Sequence, residues 1–291
     1  MNYSTSDYLT QLEQDREDLV DNLETKGITG LTGDETFTEL VPEVLNISGG
    51  GGASDYFNLT VSGWSSASVS KCMYRVPKFT ISGISRLDGF FSNLQSITSI
   101  DLTGFDTQQT EYMNDMFFNC SNLTTLDVST FDVSGVYEMA NMFCNCSSLT
   151  SLDLSNWNTS NCSNVISMFE GCSDLQTLTL SNNFTGTTIT DTSYMFSGCS
   201  SLTSLDLSML DARYIETTTG MFSGCSSLVD LDISSMDFGS IVDYSEMFTD
   251  MPNNAVVKVK DVNAQDFILN TLSSGDDRPS AWTTSNVVIA D

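Results

Sequence analysis

Hydrophobic and polar positions in this chain repeat with a step of 26 residues. Leu126-Asp127-Val128-Ser129, Leu152-Asp153-Leu154-Ser155, Leu205-Asp206-Leu207-Ser208 and Leu231-Asp232-Ile233-Ser234 are one phrase restated. Ile100-Asp101-Leu102-Thr103 and Leu178-Thr179-Leu180-Ser181 are looser copies. From the second phrase on, a Met-Phe pair stands ten residues ahead: Met116-Phe117, Met142-Phe143, Met168-Phe169, Met195-Phe196 and Met221-Phe222. A sixth pair, Met247-Phe248, follows the last phrase, and the intervals are 26, 26, 27, 26 and 26, so one extra residue enters near Asn183. A unit this short cannot bury its apolar side alone, and stacking identical units solves that, which predicts a solenoid.

One coil can be laid out from its pattern. Leu149, Leu152 and Leu154 point inward, while Ser151 and Asp153 take the outer face of a short parallel strand. Trp157 shares a corner column with Phe105, Phe131, Leu210 and Met236, after which Asn158-Thr159-Ser160 turns the chain. Cys162, Val165 and Met168-Phe169 cover the opposite wall, where a short helix or helical turn is expected. Asn119, Asn145, Gly171, Gly198 and Gly224 tolerate positive φ and predict a tight turn at one recurring place.

The repeat frames the rest of the chain. Stepping back from Phe105, Thr110 and Met113 lands on Phe79, Ile84 and Leu87, so about seven coils run over residues 74–254. Residues 55–73 are expected to be an N-terminal cap and residues 255–291 a C-terminal cap, as an array with two open ends requires. In the latter, Val256-Val257-Lys258-Val259-Lys260 alternates like an edge strand protected by lysines, Ala264 to Leu272 reads as a short helix, and Val287 to Ile289 as a last strand. Residues 48–54, with Gly49-Gly50-Gly51-Gly52, read as a flexible linker. Within residues 1–47, Leu9, Leu12, Leu19 and Leu23 form a helical stripe with Arg16 in its seam, capped by Ser6 or Thr5. So short a helix needs a partner, either in a coiled-coil dimer or trimer or on its own chain.

Charge narrows the function classes. The net charge is −28, from 38 acidic against 10 basic residues. Arg213 is the one base between residues 100 and 250. Such a surface disfavours nucleic acid and anionic lipid. No apolar run is long enough to insert into a membrane. The chain has no histidine, which removes the commonest general base and metal ligand. No nucleophile–base pair, cofactor motif or metal cluster emerges, and the expectation is a protein that is not an enzyme.

Two recurring features carry candidate chemistry. Cys120, Cys146, Cys172, Cys199 and Cys225 occupy one repeat position, which is Leu94 in an earlier coil and Met251 in the last, so it reads as an apolar core site holding reduced thiols. Cys162 joins a column with Val136, Ile189, Ile215 and Ile241. Cys144 and Cys146 are expected to face opposite ways. Asp101, Asp127, Asp153, Asp206 and Asp232 form a column of like charges, broken by Thr179. Facing like charges are destabilising. Water, cations or a basic partner would relieve them, making the column the candidate ligand-binding face; alternatively each Asp bonds a neighbouring backbone or Ser group. Asp106, Asp132, Asn158, Asp211 and Asp237 form a second column whose Asp/Asn exchange points to turn capping. Neither spacing fits a Ca²⁺ loop.

Met195-Phe196-Ser197-Gly198-Cys199-Ser200-Ser201-Leu202-Thr203-Ser204-Leu205-Asp206-Leu207-Ser208 resembles the BspA-type leucine-rich repeats of bacterial surface proteins, including mycoplasma lipoprotein repeats, and the likeness spans about residues 74–291. The expected fold class is therefore an α/β leucine-rich repeat solenoid of BspA-like coils with capping elements, preceded by a short N-terminal helical element for which a coiled coil is one option. The resemblance implies adhesins that bind host-cell or matrix proteins and carry a secretion signal and an anchor. Met1-Asn2-Tyr3-Ser4-Thr5-Ser6-Asp7 has neither the basic nor the apolar region of a signal peptide. Asp18-Leu19-Val20-Asp21-Asn22-Leu23-Glu24-Thr25-Lys26-Gly27 and Glu39-Leu40-Val41-Pro42-Glu43-Val44-Leu45-Asn46-Ile47 are similar to N-terminal segments of phage virion and tail-associated proteins of low-GC Gram-positive hosts. That likeness implies assembly in a host cytoplasm and release by lysis.

The leading expectation is a phage virion fibre or decoration protein. Residues 1–47 would contact other virion proteins and form a homo-oligomer through Leu9, Leu12, Arg16, Leu19 and Leu23, and the repeats would bind a host-surface protein, glycan or mucosal ligand. The alternatives are a bacterial cell-surface adhesin with its export signal outside this sequence and a cytosolic protein-binding scaffold.

Overall fold

The computed structural model describes residues 85–290 except 96, 101, 103, 104, 186, 187, 211, 212 and 273–275. The expected N-terminal helix with Leu9, Leu12, Arg16, Leu19 and Leu23, the glycine linker, the N-terminal cap and the first residues of the array lie outside the described residues, as does Asp101.

The repeats wind into a parallel β-solenoid. Its strands are β1 (Ser99–Ile100), β2 (Thr125–Leu126), β3 (Ser151–Leu154), β4 (Thr177–Leu180), β5 (Ser204–Asp206), β6 (Asp230–Asp232), β7 (Val256–Val259) and β8 (Val287–Ile289). Every pairing is parallel, and those from β1 to β7 join positions 26 residues apart, as in Leu152 with Leu178 and Leu205 with Leu231, while β7 and β8 pair at an offset of 30. On the opposite wall a second set of parallel bridges runs Arg86–Tyr112–Glu138–Asn164 and Asp191–Thr217–Asp243, one residue from each of seven coils. The solenoid and its coil length are those read from the 26-residue step.

That opposite wall is built from turns, not from the expected helix. Each coil carries two residues of positive φ four positions apart: Asp115 and Asn119, Asn141 and Asn145, Ser167 and Gly171, Tyr194 and Gly198, Gly220 and Gly224. A left-handed residue at every fourth position interrupts any right-handed helical run. The backbone is satisfied alternately within and between coils. Met113, Asp115, Phe117 and Asn119 donate their N–H groups to Glu138, Ala140, Met142 and Cys144 of the next coil, while Phe118 and Cys120 donate to Asp115 and Phe117 of their own. A helix would direct all these donors along itself and leave the coils unbonded on this side.

The turns also correct the Cys-x-Cys expectation. Cys144 and Cys146 are both buried, with the chain turning at Asn145 (φ 60°), so the pair does not divide between two faces; even on an extended segment alternate residues share one.

Three columns fill the core. Phe91, Phe117, Phe143, Phe169, Phe196, Phe222 and Phe248 stack face to face, with centroids 5.4 to 5.8 Å apart and planes within 12° of parallel. The methionines before them, Met116 to Met247, are fully buried beside the stack. The corner column is Phe105, Phe131, Trp157, Leu210 and Met236 with Phe184 added, all buried. Phe184 stands 27 residues after Trp157, where the extra residue shifts the register.

The column of five cysteines is buried, as expected, and these five, like Cys144 and Cys162, are free thiols. It also hydrogen-bonds. Cys120, Cys146, Cys172, Cys199 and Cys225 donate through Sγ to the carbonyls of Phe91, Phe117, Phe143, Phe169 and Phe196, at 3.0 to 3.2 Å. The serines after three of these thiols do the same one step outward: Ser147, Ser173 and Ser200 donate to the carbonyls of Ser121, Ser147 and Ser173 at 3.1 to 3.2 Å. The repeated Cys-Ser dipeptide is thus a pair of coil-to-coil tethers.

At the C-terminal end, β7 is not an edge strand. It lies between β6 and β8, and the lysine expected to guard an edge, Lys258, pairs instead with Asp230 at 3.2 Å. Asp261 caps helix α1 (Val262–Asp266), accepting from the N–H groups of Asn263 and Ala264, and the helix widens into a π-type turn over Phe267–Thr271. Trp282 closes the aromatic stack, its ring 5.4 Å from that of Phe248 and its indole N–H donating to Pro252 O at 3.0 Å.

Candidate interaction face

Successive side chains on a strand point to opposite faces, and the alternation of apolar with polar residues buries one face and leaves the other in solvent. On β3, Leu152 and Leu154 are buried while Ser151 and Asp153 are exposed. Stacking repeats this choice coil after coil. One outer column is Ser99, Thr125, Ser151, Thr177, Ser204 and Asp230, and the register aligns the other as Asp153 with Thr179 and Asp206 with Asp232. Of the acids read from the sequence, Asp127, Asp153, Asp206 and Asp232 therefore share this face.

Each of these carboxylates has a local structural task. Oδ1 of Asp127, Asp153, Asp206 and Asp232 accepts the backbone N–H two residues on, from Ser129, Ser155, Ser208 and Ser234, at 2.9 to 3.0 Å. These are Asx turns that end β2, β3, β5 and β6. The neighbouring-backbone explanation thus holds for these four, and it leaves Asp127, Asp153 and Asp206 exposed and Asp232 half-buried. The Ser129 hydroxyl and N–H hold Asp127 below the usual carboxylate range. The Ser155 N–H and hydroxyl do so for Asp153, against a smaller upward push from Asp127. Hydrogen bonds to the ionised form outweigh like-charge repulsion here. In the second column, Asp132 and Asp237 accept from Ser134 and Gly239, which is the turn capping expected of it.

Two members of the face were not visible as such in the sequence. Asp230 and Lys258 stand one coil apart, and Lys258 aligns with Asp232 at the end of the carboxylate column. Hydrogen bonding to Asp230, then its charge and those of Asp232 and Asp206, raise the Lys258 ammonium above its ordinary pKa. The signal for this lay in the 26-residue step itself, which carries Asp232 onto Lys258.

The face is not uniform. Strand hydrogen bonding is interrupted between β2 and β3 and again between β4 and β5. At the first seam lies an open concavity of about 370 Å³, lined among others by Leu126, Asp127, Ser151 and Asp153. The opposite wall displays exposed Tyr137, Tyr194 and Tyr214. There the Arg86 guanidinium lies 3.9 Å from the Tyr112 ring centroid and 2.8 Å from Asp88.

Among the described residues, no group of three or more His, Cys, Asp or Glu is placed to hold a metal ion, and no helix is long and apolar enough to cross a membrane. The ladder thiols do not form a reactive centre: burial pushes Cys120 and Cys225 up to about 12 and Cys162 to about 11.

Two family models match the chain. One, described as BspA type Leucine rich repeat region (6 copies), matches residues 139–253, and the other, described as Mycoplasma protein of unknown function, matches residues 85–183. No curated protein and no solved structure matches. The BspA-type match falls on the coils whose phrases carried that resemblance.

Proposed function

We propose that the protein is a non-catalytic binding protein displayed on a surface, with the solenoid as its recognition domain and the strand face as its contact area. The observation that carries this reading is the strand face itself: a parallel, solvent-facing array of Ser, Thr and Asp positions, backed by a core that needs nothing further from it. A rigid array of this kind binds by shape and charge, and several copies on one surface turn weak contacts into avidity. The acidic columns suit a partner with basic groups.

Of the settings inferred from the sequence, a bacterial cell surface is favoured, because the BspA-type match supports it and falls on the repeats. In this reading residues 1–47 supply attachment and oligomerisation, and the glycine linker gives reach. Attachment to a phage particle is the competing setting, resting on the likeness of residues 1–47.

Immunogold labelling with an antibody raised against residues 85–253 tests the display. Label on unpermeabilised cells is expected. Label on purified particles alone would select the virion, and label confined to the interior of permeabilised cells would overturn display altogether.

A further inference from the structure

Along the turn wall, each coil donates N–H groups to carbonyls of the coil that follows. Gly220 and Phe222 donate to Ser245 O and Met247 O at 2.8 and 2.9 Å. The same positions in the seventh coil, 26 residues on, are Glu246 and Phe248. The repeat stops after this coil, yet both donors are taken. Glu246 N–H donates to Asp277 Oδ1 and Phe248 N–H to Asp277 O, each at 2.8 Å. One aspartate, through its carboxylate and its carbonyl, stands in for two carbonyls of a further coil.

The replacement extends across the end of the solenoid. Beside Asp277, the Thr249 hydroxyl donates to Asp276 O. In the core the Trp282 ring lies 5.4 Å from Phe248, at the spacing of the phenylalanine stack, but it is tilted by 52° where the stack is near parallel. On the strand side, Val287 of β8 has its N–H held by Thr283 O and its carbonyl by Gln265 Nε2. Arg278 ties the segment to the cap, donating to Leu269 O at 2.6 Å within the π-type turn that follows α1.

What this segment covers is a cross-section of the repeat, and the surface that fits such a section is another coil. A second copy of this chain carries coils of the matching spacing, since the joins between its own coils use the same donors. Two such ends cannot meet face to face, because donors would oppose donors. Stacking therefore runs head to tail and does not close on itself.

We propose that Asp276 to Trp282 form an autoinhibitory strap, which occupies the seat of a further coil on the seventh and keeps a second copy of this chain from stacking there. Releasing the strap exposes the Glu246 and Phe248 donors and the Phe248 ring, and copies then add end to end.

The test compares the full-length parent with the double variant Asp277→Ala with Trp282→Ala, by light scattering and by hydrogen exchange of peptides spanning residues 246–249. In dilute solution the variant should exchange faster there than the parent. As concentration rises its mass should reach about twice the parent's or more, and the same amides should slow again as an incoming coil takes them. Asp277→Asn keeps an acceptor oxygen for Glu246 and should match the parent in both readings. A folded double variant whose mass follows the parent's at every concentration overturns the proposal. So does growth in mass with residues 246–249 still exchanging fast, which would mean association elsewhere. Should the double variant lose its circular dichroism, Asp277→Ala, which keeps Trp282 on Phe248, decides alone. Faster exchange that slows with concentration supports the strap, and unchanged or concentration-independent exchange overturns it.

Discussion

The thiol of Cys172 donates to the carbonyl of Phe143, in the preceding coil, at 3.2 Å. The same oxygen accepts the N–H of Cys146 at 3.0 Å. The arrangement recurs at Phe117, Phe169 and Phe196, so each of these buried carbonyls uses both lone pairs, one within its coil and one across to the next. A cysteine at this place is small enough for the stack and still brings a donor, which neither Leu94 nor Met251 does at the ends of the column.

Replacing Cys172 separates these two contributions. Cys172→Ala removes a fully buried sulfur and a hydrogen bond, an expected loss of about 1.5–3 kcal/mol. Cys172→Ser restores a donor but not the apolar volume and should fall between alanine and the parent. Urea unfolding followed by circular dichroism reads both. The thiols raised to about 11 or 12 should resist a disulfide exchange reagent in the folded protein at pH 8 and react in urea.

Phe169 stands in the middle of the seven-ring stack, 5.6 Å from Phe143 and 5.4 Å from Phe196. Phe169→Ala opens a cavity between two coils and should cost about 3–5 kcal/mol. Phe169→Leu refills most of it and should cost about 1–2 kcal/mol, the stacking contribution being about 0.5–1.5 kcal/mol. In a one-dimensional array the damage is local, so the alanine variant should also broaden the unfolding transition as the two halves uncouple.

The 26-residue step exposed the strands, the coil count, the buried cysteine column and the acidic face because each depends on a side chain recurring at a fixed place. Asn119 and Gly171 likewise marked one left-handed column. The second, from Gly89 through Asp115, Asn141, Ser167, Tyr194 and Gly220 to Glu246, has no shared residue type and left no signature. It is imposed by coil-to-coil hydrogen bonding, and it is what turns an expected helical wall into a ladder of turns. The role of β7 was hidden for a similar reason: alternation with lysines describes an edge, but pairing is decided by β8, twenty-eight residues after Val259 at its start.

Tyr194 and Gly220 occupy successive places in that second column, with φ 57° and 59°. A Cβ on Gly220 would lie 2.6 Å from the Tyr194 ring, which covers the glycine. Gly220→Ala must therefore push the ring away as well as hold alanine in a left-handed conformation that costs about 1–2 kcal/mol. Tyr194→Gly removes both the ring and its own backbone strain. In the double variant the alanine should cost about 1 kcal/mol less than it does in the parent, a coupling that thermal melts of the four proteins of the cycle would measure. Additive losses would mean that the ring is free to move.

Acid should weaken the solenoid through the residues that end its strands and turns. Asp127, Asp132, Asp153 and Asp243 all titrate below the usual carboxylate value in the folded chain, held there by serine or threonine donors. A group with a depressed folded pKa contributes stability that is present above its unfolded pKa, about 3.9 for Asp, and is lost as pH falls through the folded value. Asp115 works the other way, since desolvation by burial raises it, so its ionisation opposes folding near neutral pH. Four depressed groups against one raised predict a urea midpoint that falls as pH drops below about 4. Ser129→Ala deletes the hydroxyl and leaves the backbone donor, so Asp127 should move part of the way back toward its ordinary value. Carboxyl ¹³C titration of Asp127 in the parent and in Ser129→Ala measures that step directly. An unmoved Asp127 would show that the backbone N–H of Ser129 holds the carboxylate alone.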